Sequence, residues 1–240
     1  MTTVREQTTA QPTALLLWDI DGTLLHCGRA GASAILDAMR NAFGVDASLD
    51  EIDFGGRTDI WIARQLFSQN RIEPVEENIR RFLATYVSLL PEALASHTLR
   101  VYPGAVTCLE TLSADGRFAQ AILTGNVRTG AEAKLRAARL GHFFRTGAYG
   151  CDAEDRNHLG PKALERARSA WGISFSPDRV CIIGDTPHDI ACARAIGARC
   201  IAVAQGNYSL SELEAHSPDL AIADLSDPAP LLSKLQVLVS

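Results

Sequence analysis

The chain has 240 residues, 47% of them hydrophobic and 21% charged, with a formal net charge of −5. That length suits one large domain, or one domain carrying a smaller insert. The acidic balance, with no basic run to offset it, argues against a nucleic-acid or acidic-membrane partner, and no apolar stretch approaches the roughly 18 residues that cross a bilayer.

Residues 1–13 are polar, include Arg5 and Glu6, and lack the apolar centre of a secretion signal. They read as a disordered tail on a cytoplasmic protein. Six cysteines (Cys27, Cys108, Cys151, Cys181, Cys192, Cys200) show no C-x-x-C spacing, which favours buried free thiols over disulfides or a zinc site.

The run Leu15-Leu16-Leu17-Trp18 reads as a buried parallel strand leading into Asp19-Ile20-Asp21-Gly22-Thr23. Past it the periodicity turns helical. Ala34, Ile35, Ala38, Met39 and Phe43 share one face of a helix over Ala30–Phe43, with Gly44 as its stop. Further helices are predicted near Asp59–Gln69 and Val75–Leu90, the second ending around Ser88–Pro91. With no strong strand signal over residues 26–97, this block reads as an all-helical cap. It is inserted into a core made of residues 14–25 and 98–240. The cap aromatics Phe54, Trp61, Phe67, Phe82 and Tyr86 read as packing rather than as a recognition box.

Alternation resumes at Val101, with a helix from Pro103 to about Ser113. A strand over Ala119–Leu123 ends at Thr124-Gly125-Asn126. A helix over Thr129–Leu140 follows, with Gly141 at its end, then a short strand within Arg145–Tyr149. Pro161–Trp171 is a helix closed by Gly172. Arg179–Ile183 is a strand running into Gly184-Asp185-Thr186-Pro187-His188-Asp189, where Pro187 opens a helix to Ile196. Arg199–Ala204 and Leu220–Ala223 are strands flanking a helix at Ser209–Ala215. Repeated strand–helix units of this kind predict an α/β fold, a doubly wound parallel sheet with helices on both faces.

Three strands end in polar residues: Asp19 and Asp21, Thr124, and Asp185 with Asp189. In a parallel sheet such ends converge on one edge, where ligands bind. Asp19 and Asp21 lie two apart and share a face. Two carboxylates so placed repel unless a cation joins them or one binds a proton, and a hard oxygen-seeking ion such as Mg²⁺ is the simplest solution. Carboxylates, a hydroxyl and nearby backbone N–H groups together suit a phosphoryl group bridged by that ion. Asp185 and Asp189 have a competing structural reading as helix caps.

The motifs D-I-D-G-T-L, L-T-G-N and G-D-T-P-H-D, in that order, resemble the haloacid dehalogenase-like (HAD) hydrolase superfamily over roughly residues 14–225. The phosphoglycolate phosphatase-like branch is the nearest in pattern, with the helical insert where that branch carries a small cap. The resemblance implies a HAD-type Rossmann-like core and a Mg²⁺-dependent phosphatase. Its expected substrate is a small phosphorylated metabolite, phosphoglycolate-like or a sugar phosphate, with no nucleic-acid or membrane partner. It implies that Asp19 attacks phosphorus to form an aspartyl-phosphate, and that Asp21 exchanges a proton with the leaving oxygen and then with water. Thr124, with the backbone at Gly125 and Asn126, would hold the phosphoryl oxygens. Asp185 would ligate Mg²⁺ together with the Asp19 carboxylate and the Asp21 carbonyl, and Asp189 would support that site from behind.

The family's Lys, often in a K-P-x-P run, is missing. His158 stands at the aligned position, flanked by Arg156 and Lys162, and Arg156 is favoured because its guanidinium is permanently charged and bridges two oxygens. Arg57, in the glycine-hinged stretch Phe54–Asp59, reads either as a receptor for a substrate carboxylate or second phosphate, or as a surface charge beside Thr58 and Asp59 capping a helix. Dehalogenating relatives lack an acid at the position of Asp21, so its presence points to phosphate chemistry. A β-phosphoglucomutase-like transfer and a non-catalytic phospho-ligand sensor remain as alternatives. A nucleotide-binding dehydrogenase lacks its G-x-G-x-x-G here.

Overall fold

The computed structural model describes residues 11–239. Within the expected tail, residues 1–10 lie outside the described residues, as does Ser240. The first half runs β1 (Ala14–Trp18), β2 (Leu25–His26), α1 (Ala30–Phe43), α2 (Asp59–Gln69), α3 (Glu76–Ser96), β3 (Arg100–Val101) and α4 (Ala105–Ala114). It continues with β4 (Phe118–Leu123), α5 (Arg128–Ala137), β5 (Gly147–Ala148), α6 (Leu159–Trp171) and β6 (Val180–Gly184). The chain closes with α7 (Pro187–Ala195), β7 (Arg199–Val203), α8 (Leu210–Ala215), β8 (Leu220–Ile222) and α9 (Ala229–Gln236).

All five residues of β1 are buried, because the strand is central in a parallel six-stranded sheet ordered β5-β4-β1-β6-β7-β8. Its two faces feed two cores. Leu16 and Trp18 pack in one cluster with residues of α1 and α4, while Leu15 and Leu17 pack in another with residues of α6 and α7. This follows from a period of two with apolar residues at every position. The one polar group inside the sheet, Gln120, accepts from Trp18 Nε1 at 3.1 Å and donates to Leu109 O at 3.1 Å and Ser113 Oγ at 2.7 Å. Its desolvation is thereby offset. Trp18 is level with Ile122 of β4 and Ile183 of β6. The chain therefore leaves the carboxyl ends of three adjacent strands at one height, and the order reverses beside β1. Open α/β sheets place ligands in that crevice.

The helices α1, α2 and α3 leave and rejoin the sheet through β2 and β3, an antiparallel pair of two residues each. Helix α1 packs along α3. Phe43, Phe67 and Phe82 meet edge to face with centroids 5.2 and 5.8 Å apart, and Phe82 stacks on Tyr86 at 6.4 Å. Phe67, Phe82 and Tyr86 are thus packing residues, as their pattern predicts. Phe54 is not: it sits in the loop before α2, 39% exposed, where no helix covers it.

Several boundaries differ from the sequence reading. Helix α3 does not end at Pro91 but continues to Ser96. Proline removes one N–H and disfavours a helix interior, yet the apolar stripe Ile79, Phe82, Tyr86, Leu90 and Leu94 runs past it and stays buried. Packing outweighs the local break. Helix α5 ends three residues before Leu140, and the left-handed turn falls on Arg139 (φ 59°) rather than on Gly141. Helix α6 starts at Leu159, two residues before Pro161. Helix α9, which carries Leu231 and Leu235 into the core, has no counterpart among the predicted elements. All six cysteines are free, five buried and Cys151 exposed. No helix among the described residues is long and apolar enough to cross a membrane.

Candidate active site

The ends of β1, β4 and β6 open into a cleft of about 710 Å³ roofed by the loop before α2. Asp19, Asp21, Thr124, Gly125, Asn126, Arg57, Arg156 and Asp185 all line it, as do His26 and Arg29. Lys162 does not. Its ammonium is exposed on α6 and pairs with Glu165 one turn along, at 2.7 Å. Position 162 lies in the first turn of a helix whose buried face is Leu159, Gly160, Ala163 and Ala167, so Lys162 points outward. Lys162, the alternative to Arg156 as the basic residue, thus stands outside the cleft that the other predicted site residues share.

Arg156 is buried and reaches the first motif. Its Nη2 lies 3.3 Å from Asp19 Oδ2 and donates to Asp189 Oδ1, while Nη1 donates to Gly56 O at 2.9 Å. Burial works against its charge, and the Asp189 and Asp19 carboxylates more than offset that, so the guanidinium stays protonated. The fixed fork of arginine matches this arrangement. Asp189 is fully engaged: its second oxygen accepts from Thr186 N at 3.1 Å and Thr186 Oγ1 at 2.7 Å. Asp189 thus caps α7 through Thr186 and at the same time holds the Arg156 guanidinium beside Asp19.

Asp19, Asp185 and Asp189 bring one oxygen each within 4.8 Å of one another. Burial foremost, together with the neighbouring carboxylates of Asp189 and Asp21 and against the pull of Arg156, pushes Asp19 up from 3.8 to about 6. Burial, then Asp19 and Asp189, drives Asp185 well above the usual carboxylate range. One arginine does not balance three buried acids. Asp19 Oδ1, moreover, is buried and has no hydrogen-bond partner. Asp185 accepts from Thr23 Oγ1 at 3.0 Å and is cradled by backbone: a Cβ at Gly22 (φ +82°) would lie 2.1 Å from its Oδ2, and one at Gly206 would lie 1.9 Å away. An all-oxygen donor set with excess negative charge and an orphaned carboxylate oxygen fits a hard divalent cation. The Asp21 carboxyl stands apart from this cluster.

Asp21 faces the other way. Its Oδ2 accepts from Lys134 Nζ at 2.6 Å and from Asn126 Nδ2 at 2.7 Å. The same amide donates to Thr124 Oγ1 at 2.8 Å, and Asn126 Oδ1 accepts from Lys134 at 2.7 Å. With its oxygen already accepting, Thr124 keeps its hydroxyl hydrogen for a ligand. Burial works against the charge of Lys134, and the Asp21 carboxylate, the Tyr86 and Cys27 side chains and the hydrogen bond to Asp21 together more than offset it.

The loop before α2 is tied down on this side. Thr58 caps α2 through Trp61 N at 3.2 Å and donates to Glu154 O at 2.6 Å. Asp59 N donates to Gly125 O at 2.8 Å, and its carboxylate accepts from Val127 N at 2.7 Å. Asp59 therefore caps the start of α5, not its own helix. Arg57 lies with its guanidinium carbon 4.4 Å from the Trp61 ring centroid, and its Nε is buried without a hydrogen-bond partner.

Lys134 and Asp59 are absent from the sequence-derived site. A signal for Lys134 was present: the chain has only three lysines, and this one shares a helix face with Gly130 and Ala131. A lysine on a buried helix face requires a partner.

Residues 13–197 match the family described as haloacid dehalogenase-like hydrolase. Phosphoglycolate phosphatase 1 of Pseudomonas aeruginosa is 28% identical over 221 residues, spanning 90% of this chain and 78% of that protein. Pyrophosphatase PpaX of Bacillus mycoides is 24% identical over 224 residues, spanning 92% and 97%. The crystal structure of a hydrolase from Pseudomonas syringae superposes with a TM-score of 0.71 at 21% identity, covering 92% of this chain and 99% of that one. At that identity the likeness speaks for the fold.

Proposed function

Because the chain belongs to the haloacid dehalogenase-like hydrolases, we propose that it is a Mg²⁺-dependent phosphatase acting on a small phosphorylated metabolite. One observation carries the reading. A buried carboxylate, Asp19, has a free oxygen at the mouth of a cleft, beside a buried guanidinium and a second buried acid. A purely structural carboxylate would not be left half-partnered.

In this reading an Asp19 oxygen attacks phosphorus opposite the leaving oxygen. An aspartyl-phosphate forms as the ester P–O bond breaks. Asp21 supplies the proton that the leaving oxygen takes up, then removes one from the water that cleaves the acyl-phosphate. Thr124 donates its hydroxyl hydrogen to a phosphoryl oxygen, and the backbone at Gly125 and Asn126 lies against the same group. Arg156 keeps a positive charge beside the nucleophile, which lowers the repulsion between carboxylate and phosphate. Asp19 and Asp185, with the Asp21 carbonyl, would hold a Mg²⁺, which would supply the remaining neutralising charge.

Residues 26–97 serve as the cap and the rest of the folded chain as the catalytic core. Arg57, on the cap's inward loop, suits a second anionic group on the substrate, a carboxylate or a second phosphate. The relatives named for phosphoglycolate and for pyrophosphate support that class.

The test is a magnesium-supplemented panel of phosphorylated metabolites assayed for inorganic phosphate, with Asp19→Asn alongside. Turnover by the parent and a loss of roughly 10⁴-fold or more in Asp19→Asn, with the fold intact, are expected. Ligand binding without turnover across the whole panel would sink the reading in favour of a sensor, and isomer formation without phosphate release in favour of a mutase.

A further inference from the structure

Lys134 is a costly residue to bury. Its side chain is 6% exposed, whereas that of its partner Asp21 is 40% exposed. A buried ion pair adds little net stability over an apolar pair of the same volume. The pair spans 113 residues, from the loop after β1 to the last turn of α5. Its two partners are the Asp21 carboxylate and the Asn126 side-chain oxygen. These contacts have one geometric result. Two N–H groups, from Lys134 and Asn126, both point at Asp21 Oδ2. That oxygen has its lone pairs engaged and has donors aimed at it, so a proton cannot sit there without displacing one of them. The remaining oxygen, Oδ1, accepts neither of these bonds, on a side chain that is 40% exposed.

We infer that Lys134 is a positioning residue for phosphoryl transfer: with Asn126 it clamps Asp21 Oδ2, so that Oδ1 alone carries and delivers the proton. The inference rests on the acid–base role proposed for Asp21 above. In the step concerned, the bond from Asp19 to phosphorus forms and the ester bond breaks. The bonding pair goes to the leaving oxygen, and the proton on Asp21 Oδ1 follows it. Lys134 neither gains nor loses a proton. It also fixes which way the Asn126 amide faces. Without the ammonium, the Asn126 oxygen loses its donor and the amide is held only through its bonds to Asp21 and Thr124, which loosens the second clamp. A misplaced acid costs most where the leaving group most needs a proton.

The experiment compares kcat/KM across phosphate monoesters from p-nitrophenyl phosphate to simple alkyl phosphates. The variants are Lys134→Met, Asp21→Asn and the double variant, each with its urea unfolding midpoint. The quantity kcat/KM isolates the half-reaction in which the leaving group departs. Lys134→Met is expected to lose roughly 100-fold on alkyl esters and far less on p-nitrophenyl phosphate, whose leaving group departs unprotonated. In the Asp21→Asn background, the same change is expected to cost nothing further. The double variant also leaves no carboxylate at position 21 without its cation, so it reports even where Lys134→Met alone is unstable. A loss equal across leaving groups, or one that adds in full to Asp21→Asn, overturns the inference and leaves Lys134 a structural residue. A parent chain that releases no phosphate from any ester overturns the phosphatase reading instead.

Discussion

The two sides of the cleft differ in how completely they are satisfied. On the side of Asp19, three buried acids share one buried arginine, and Asp19 Oδ1 has no partner. On the side of Asp21, an ammonium, an amide and a hydroxyl close a network in which each group named has a hydrogen-bond partner. Both flanks grow from the same ten residues after Ala14. Under the phosphatase reading proposed above, a ligand completes the first flank while the second holds Asp21 in place. A buried carboxylate oxygen left without a partner is costly, and Asp19 Oδ1 on the first flank is one.

The largest way to break this asymmetry is to remove the only cation on the reactive flank. Arg156→Ala leaves Asp19 and Asp189 buried without their counter-charge. A loss of about 3–5 kcal/mol in unfolding free energy is expected by urea denaturation, along with a loss of at least about 10²-fold in phosphate release. A variant as stable as the parent would mean that the acids are balanced some other way.

Next in size is the effect of the metal. At about 100 times its dissociation constant, Mg²⁺ is expected to raise the unfolding free energy by about 2.7 kcal/mol. That gain disappears in Asp185→Asn and survives in Asp59→Asn. Equal stabilisation of both variants would show that the cation binds outside the three-acid cluster.

The satisfied flank is probed by pH. Burial, partly offset by Lys134 and the Val127 N–H, raises the Asp59 carboxyl from 3.8 to about 6. The folded chain therefore holds this proton more tightly than the unfolded chain. The stability that Asp59 contributes is full below about pH 4 and is lost as pH rises through about 6. Asp59→Asn accepts the same Val127 N–H without a charge. Its stability is expected to rise relative to the parent by about 2–3 kcal/mol between pH 4 and pH 7, read as the difference of two urea titrations. A pH-independent difference would show that Asp59 is ionised at no extra cost. The smallest expected effect is that of Lys162→Ala, within about 0.5 kcal/mol and without change in turnover, since its ammonium pairs with the exposed Glu165.

Much of the site was legible in short stretches. Asp19, Asp21, Thr124 and Asp185 each follow a strand recognisable from its own residues, and a parallel sheet brings strand ends together without further information. The choice of Arg156 over Lys162 came from side-chain chemistry; the fold places Arg156 beside Asp19 ahead of α6, and Lys162 on that helix's exposed side. Helix α3 beyond Pro91, Asp59 as the cap of another helix, and Lys134 as the partner of Asp21 were not legible. Each depends on a surface supplied by a distant part of the chain.

The sequence by itself determined the α/β order, the central strand and the acids at its end, because strand periodicity and strand-end chemistry are local properties of consecutive residues. Only the tertiary structure decided which cation faces which acid. Ion pairs and orphaned oxygens are relations between residues a hundred or more positions apart, and no spacing along the chain encodes the distance between them.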